Sequence, residues 1–135
     1  MAFLKWHPAL SVLVEKFDEQ HKTLIGLIND LHSAMMEGRG GAALGGILDG
    51  LTDYTVTHFA DEERLMLQHA YPGLVGHRAE HAKLIEQVQA LKAKFQVNRT
   101  ALSVEVMVFL KDWLVNHIQG EDRKYGGFFR ARGVS

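Results

Sequence analysis

His77-Arg78-Ala79-Glu80-His81-Ala82-Lys83-Leu84-Ile85-Glu86-Gln87-Val88-Gln89-Ala90-Leu91-Lys92-Ala93-Lys94-Phe95 is the stretch that decides the fold. Within it His77, His81, Leu84, Val88, Leu91 and Phe95 follow one another at steps of four, three, four, three and four. That spacing draws a single stripe along an α-helix, because residues three and four apart share a face. The helix is patterned to pack against others, yet two imidazoles lead the stripe where leucines would ordinarily stand.

Toward the N-terminus, Tyr71-Pro72-Gly73 breaks the chain. Before it, Leu44, Ile47, Leu51, Tyr54, His58, Glu62 and Leu65 mark another helix. Earlier still, His21, Leu24, Ile28, Leu31 and Met35 mark a helix that starts at Asp18 as N-cap and stops at Gly38-Arg39-Gly40-Gly41. On the C-terminal side, Asn98-Arg99-Thr100 makes a turn. A helix carrying Leu102, Val106, Phe109, Trp113 and His117 follows and frays near Gly120. The expected order is an ordered N-terminal arm at 1–17, helices at roughly 18–37, 42–69, 74–96 and 101–119, and a short C-terminal tail. Phe128 and Phe129 of that tail pack back onto the bundle. Short turns force neighbouring helices to be antiparallel, so the expectation is all-α: one domain over 1–135, an antiparallel up-down-up-down four-helix bundle with an N-terminal arm.

Composition narrows the chemistry. Lys and Arg number 15 against 16 Asp and Glu, which leaves no basic excess to neutralise phosphates and argues against nucleic acid as a partner. There is no cysteine, so disulfides, thiolate catalysis, iron–sulfur clusters and Cys-based zinc sites are all excluded. No run approaches the ~20 apolar residues of a membrane span, and no signal-peptide pattern opens the chain. A cytoplasmic location and no membrane partner are the expectations.

The chain carries eight histidines, and five of them, His21, His58, His77, His81 and His117, lie on the apolar stripes. One histidine on such a stripe is ordinarily a hydrogen-bonded core residue. Five, with every helix contributing at least one, are another matter. Buried together without a common partner they would strand polar groups at ~1–3 kcal/mol each. A shared metal removes that cost by taking the ring nitrogens as ligands. Residues four apart differ by ~40° in direction and ~6 Å in height on a helix, so His77 with His81, and His58 with Glu62, can converge on one ion. The set is too large for one tetrahedral zinc and too rich in nitrogen for calcium or magnesium. Five imidazoles and two bridging carboxylates, with one solvent-derived bridge, fill eleven of the twelve positions of two six-coordinate transition ions. One position stays open, on the ion with two histidines.

Asp18-x-Gln20-His21, His58-Phe59-x-x-Glu62-Glu63, His77-x-x-x-His81 and Trp113-Leu114-x-x-His117-x-x-x-x-Asp122 occur in that order. Together they resemble the hemerythrin family, specifically its single-domain bacteriohemerythrins, from Trp6 to about Tyr125. The resemblance implies two non-haem iron ions joined by an oxo or hydroxo bridge. It assigns His77, His81 and His117 to one iron, His21 and His58 to the other, and Glu62 and Asp122 to both. It also implies reversible O2 binding at the iron with two histidines, in an oxygen pocket resembling that formed here by Leu24, Phe59, Trp113, Leu114 and Ile118. Plain core packing is the simpler role for those five side chains.

Helical geometry agrees with the family on Glu62, and leaves Asp61 and Glu63 as solvated charges. It disagrees at the second carboxylate. Glu121, four residues after His117, lies about 40° away on an ideal helix, whereas Asp122 lies about 140° away. The family pattern takes Asp122, which requires a widened or broken turn near Gly120. The family pattern also favours glycine where this chain has Leu13 and Ala70. His7, His32 and His69 match no ligand position and are expected at the surface or in caps. The expected function is O2 transport, storage or scavenging by a monomer that is not an enzyme, with azide or nitric oxide as further small ligands. A sensor of O2, redox state or nitric oxide, or a di-iron peroxidase or oxidase, is the alternative.

Overall fold

The computed structural model describes residues 3–39, 41–98 and 103–134. A 3-10 turn at Pro8–Leu10 is followed by α1 (Glu15–Met36), α2 (Gly41–Gln68), α3 (Leu74–Val97) and α4 (Val104–His117). A π turn (Ile118–Asp122) then leads directly into α5 (Arg123–Arg130). Ion pairs fix the relative directions of the helices. Early α2 meets late α3 through Asp49 and Lys92 (2.9 Å), and late α2 meets early α3 through Glu63 and Arg78 (3.0 Å). Gln20 near the start of α1 reaches Asp61 near the end of α2, and His81 of early α3 faces His117 at the end of α4. The chain is the expected antiparallel bundle. No helix among the described residues is long and apolar enough to cross a membrane.

Several local expectations are corrected. Helix α1 begins at Glu15 with Val14 as N-cap, and Val14 makes no side-chain cap. Asp18 instead reaches back out of the first turn. Its carboxylate accepts from the Val12 N–H (2.8 Å) and the Ser11 hydroxyl (2.6 Å), which ties the N-terminal arm to the bundle. The arm can turn there because Leu13 adopts φ +65°. The C-terminal tail is a helix, α5. It seats against the arm at Gly126, where a Cβ would lie 2.1 Å from the Val12 carbonyl oxygen. That approach is open to glycine alone.

Two stripes shift by one position. On α2 the buried residues are Leu44, Leu48, Leu51, Thr52, Thr55, His58, Phe59, Glu62 and Met66, while Ile47, Tyr54 and Leu65 are half-buried. Thr55 tolerates burial because its hydroxyl donates to the Leu51 carbonyl (2.7 Å). On α4, Met107, Leu110 and Leu114 face the core and Phe109 is 41% exposed. That helix is apolar nearly all round, so its aromatics mark a face without marking the buried one. Leu102, the expected helix start at 101–102 and most of the expected turn at 98–100 lie outside the described residues.

Candidate metal centre

Seven side chains from every part of the bundle end at one buried point. His21 comes from α1, His58 and Glu62 from α2, His77 and His81 from α3, His117 from α4, and Asp122 from the π turn. None is more than 4% exposed. Their ligand atoms form two sets, within each of which all atoms lie within 4.8 Å of one another. One set is His77, His81, His117, Glu62 and Asp122, and the other is His21, His58, Glu62 and Asp122.

The carboxylates belong to both sets because each divides its oxygens between them. Glu62 turns Oε1 toward His81 (3.3 Å) and His77 (3.8 Å), and Oε2 toward His58 (3.3 Å) and His21 (3.4 Å). Asp122 turns Oδ1 toward His77 (2.8 Å) and His117 (3.1 Å), and Oδ2 toward His21 (3.2 Å). Many of these close approaches are not hydrogen bonds. The Nε2 atoms of His21 and His77, Glu62 Oε1 and Asp122 Oδ1 are buried without a hydrogen-bond partner, as are Nδ1 of His21 and Nδ1 of His117. Orphaned donors and acceptors in a native core need a physical reason. Atoms that crowd a common centre without bonding one another fit metal ligands. Imidazole and carboxylate without sulfur suit first-row transition ions.

Charge in the metal-free chain leads the same way. Burial alone would lower the pKa of His21 and His77, but the facing Asp122 and Glu62 outweigh it and push them up to about 9 and about 10. Burial would raise Glu62, and His58, His21 and His77 hold it well below the usual carboxylate range. Asp122 is likewise held low, despite burial and the neighbouring Glu62 charge, by His117, His21 and His77. Without metal, imidazolium ions balance the two buried carboxylates. A divalent pair would replace protons with stronger counter-charge.

The π turn sets the two C-terminal acids apart geometrically. It adds one residue to the turn after His117, which carries Asp122 into the cluster. Glu121 points outward and pairs with Lys124 (3.2 Å).

Around the seven lies a layer that the sequence reading missed. Gln20 Oε1 is 2.5 Å from His58 Nδ1, and the Gln20 amide donates to Asp61 (2.9 Å), which also pairs with Arg64. Glu63 Oε2 is 2.9 Å from His81 Nδ1 while its other oxygen accepts from Arg78 (3.0 Å). Asp61 and Glu63 are therefore not idle solvated charges, as expected above. Glu63 meets the outer edge of the His81 ring directly, and Asp61 holds Gln20, which meets that of His58. Tyr125 of α5, fully buried, donates its hydroxyl to Glu62 Oε2. Burial and the Glu62 and Asp122 charges push its own pKa well up, so it stays a donor. The signal for Gln20 and Glu63 was their place beside ligands in the quoted motifs. For Tyr125 it was hidden, because Gly126-Gly127 reads as the end of a helix.

A small apolar cavity of ≈ 30 Å³ lies beside the cluster. Leu24, Phe59, Trp113 and Leu114 line it, together with residues farther along the bundle such as Ile28 and Val88. Ile118, also expected there, is fully buried in the π turn but does not line this cavity. Phe59 stacks on His81 (3.7 Å, 1°) and Trp113 on His117 (4.4 Å, 16°). Of the remaining histidines, His7 caps the 3-10 turn, His32 stacks on Phe3 and His69 meets the ring of Phe129 edge-on.

The family profile of the hemerythrin HHE cation-binding domain matches residues 12–129. The chain belongs to the hemerythrin family. This hemerythrin is 36% identical to a bacteriohemerythrin of Stenotrophomonas maltophilia, over 97% of this chain and 84% of that one. It is 37% identical to a bacteriohemerythrin of Methylococcus capsulatus, over 93% and 96% of the two chains. A crystal structure of a wild-type hemerythrin superposes with a TM-score of 0.88 at 36% identity, covering 93% of this hemerythrin and 97% of that chain.

Proposed function

We propose that this chain binds O2 reversibly at two non-haem iron ions, for oxygen transport, storage or scavenging, and that it is not an enzyme. His77, His81 and His117 hold one ion, His21 and His58 hold the other, and Glu62 and Asp122 bridge them. The observation that carries the reading is the division of each carboxylate between the two sets: Oε1 of Glu62 faces His77 and His81 and Oε2 faces His21 and His58, while Oδ1 of Asp122 faces His77 and His117 and Oδ2 faces His21. One chain supplies all seven ligands, so the site needs no second copy, in keeping with a monomer.

When bound, the iron pair, with its oxo or hydroxo bridge, supplies two electrons and an open coordination position for O2. The side chains make that exchange reversible. Leu24, Phe59, Trp113 and Leu114 exclude water and anions from the approach. Gln20 and Glu63 keep Nε2 of His58 and His81 turned inward by holding Nδ1. Tyr125 takes up part of the charge on Glu62.

Binding is favoured over turnover by the cavity lining, whose residues carry one hydroxyl, on Thr55, and neither carboxylate nor imidazole to move protons. Thr55 already donates that hydroxyl to the backbone. The test is a visible spectrum of the reduced protein under anaerobic conditions, then in air, then after deoxygenation, alongside metal analysis. About two irons per chain and a band that appears in air and leaves on deoxygenation are expected. One iron, or zinc with no iron uptake, would overturn the site. A band that decays straight to peroxide and ferric protein would favour the oxidase reading.

A further inference from the structure

His81 and His117 stand opposite each other in the three-histidine set, with their Nε2 atoms 3.1 Å apart, and their surroundings are built on one plan. Each ring lies flat on an aromatic face. His81 lies on Phe59, and His117 lies on Trp113 four residues earlier on α4. Stacking fixes the plane of an imidazole but not which nitrogen faces inward, because a ring flipped by half a turn stacks equally well. A partner at Nδ1 removes that ambiguity. It selects the tautomer with the proton outside and the lone pair of Nε2 inside. For His81 that partner is Glu63, at 2.9 Å.

His117 has the stack but not the closed contact. Its Nδ1 is buried and without a hydrogen-bond partner, and the nearest carboxylate oxygen is Glu80 Oε1 at 3.9 Å. Glu80 is half-exposed and makes no other ion pair among the described residues. It borders a solvent-open pocket of ≈ 200 Å³ lined also by Trp113, Asn116, His117 and Glu121. The pocket gives the side chain room to move. Glu121, the other carboxylate there, is engaged by Lys124.

We propose that Glu80 is the positioning residue of His117, closing by about 1 Å onto Nδ1 when metal occupies Nε2. Metal binding supplies the reason to close. A metal on Nε2 fixes the His117 proton on Nδ1 and makes that N–H a stronger donor, so a mobile carboxylate within reach gains most in the loaded state. Glu80 thus does for His117 what Glu63 does for His81. This inference rests on the di-iron reading.

The experiment follows iron release from the reduced, fully loaded protein to a ferrous chelator under anaerobic conditions. It compares wild type with Glu80→Ala, Glu80→Gln, Glu121→Ala and Glu63→Ala. Losing the outer partner of a ligating histidine typically costs about 10–100-fold in metal affinity. Glu80→Ala is expected to release iron about that much faster, matching Glu63→Ala. Glu80→Gln, which keeps an accepting oxygen, should recover most of the loss, and Glu121→Ala should release iron like wild type. Release from Glu80→Ala at the rate of Glu121→Ala would overturn the proposal, as would failure of Glu80→Gln to recover.

A second measurement needs no variant. In the diferrous protein the paramagnetically shifted Nδ1–H proton of His117 should exchange with solvent slowly, as should that of His81. Fast exchange of His117 alone would mean that its Nδ1 is bonded to water, and Glu80 would have no part. If wild type takes up no iron, the di-iron reading itself has failed. If it holds two and the Glu80 variants behave like wild type, this inference alone fails.

Discussion

Replacing Ala70 with glycine should make the protein more stable, although the substitution removes a side chain and a good helix former. Ala70 closes α2 at φ +54°, in the left-handed region. The Tyr71 N–H reaches the Met66 carbonyl (2.8 Å) and the Ala70 N–H reaches that of Leu67 (3.2 Å), the hydrogen bonds of a Schellman end. Helix α1 ends in the same motif, with Arg39 N–H to Ala34 (3.1 Å), Gly38 N–H to Met35 (3.1 Å) and Gly38 at φ +69°. One end thus has the residue that the conformation favours and the other does not.

A left-handed non-glycine residue costs about 1–2 kcal/mol. Glycine returns roughly 0.5–1 kcal/mol of that through the greater freedom of the unfolded chain. The exposed Ala70 methyl adds little, so Ala70→Gly should gain about 0.5–1 kcal/mol. The reverse change, Gly38→Ala, should lose about as much, because its added Cβ meets nothing within 4 Å and the cost is purely conformational. Urea unfolding of the metal-free proteins measures both, with equal m-values expected and midpoints displaced in opposite directions. Thermal midpoints should move by about 2–4 °C each. Destabilisation by Ala70→Gly with an unchanged m-value would refute the assignment of strain to that residue.

Asp122→Ala should abolish the air-induced band and lower iron content, while Glu121→Ala leaves both near wild type; spectra and metal analysis of the two variants decide between the acids. Gly126→Ala would drive a methyl to 2.1 Å from the Val12 carbonyl, so the arm and α5 must part. A loss of at least about 1–3 kcal/mol is expected, read as a lower melting temperature, and an unchanged one would contradict the seating of α5. Leu114→Ala should keep two irons and still oxygenate, yet autoxidise faster and admit azide more quickly, as followed by absorbance against the exposed change Lys83→Ala. Its stability should fall by about 2–5 kcal/mol if the enlarged cavity does not collapse.

The five clustered histidines were legible because each interrupts an apolar stripe, and an imidazole in a stripe conflicts with plain core packing unless something binds it. The four bundle helices were legible because Gly and Pro mark two of their turns, at 38–41 and 71–73, and Asn98-Arg99-Thr100 interrupts the apolar stripe at the third. Legibility failed where sequence carries no local mark. Whether Phe109 or Leu110 faces inward on an apolar helix is decided by the neighbours of α4, not by α4 itself. Tyr54 stands in the expected stripe where Thr55 is the buried residue, because the Thr55 hydroxyl is satisfied by its own backbone and so carries no mark in the sequence. Helix α5 was hidden behind two adjacent glycines, one of which is required by the arm 114 positions earlier rather than by its own turn. Glu63 and Asp61 read as solvent charges because their partners, His81 and Gln20, lie on other helices. Asp122 was reachable only through the family pattern, since ideal periodicity selects Glu121.

The π turn between α4 and α5 amounts to one residue inserted into an otherwise continuous helix of two segments. Deleting a single residue there, Gln119 for example, would restore an ordinary α-helical turn. It would leave an aspartate four positions after His117, and Tyr125 and Gly126 would follow it in unchanged order. The widened turn and the fifth-position aspartate are thus one geometric feature: the acid reaches the cluster only because the turn is wide, and the wide turn brings in that acid rather than its neighbour Glu121.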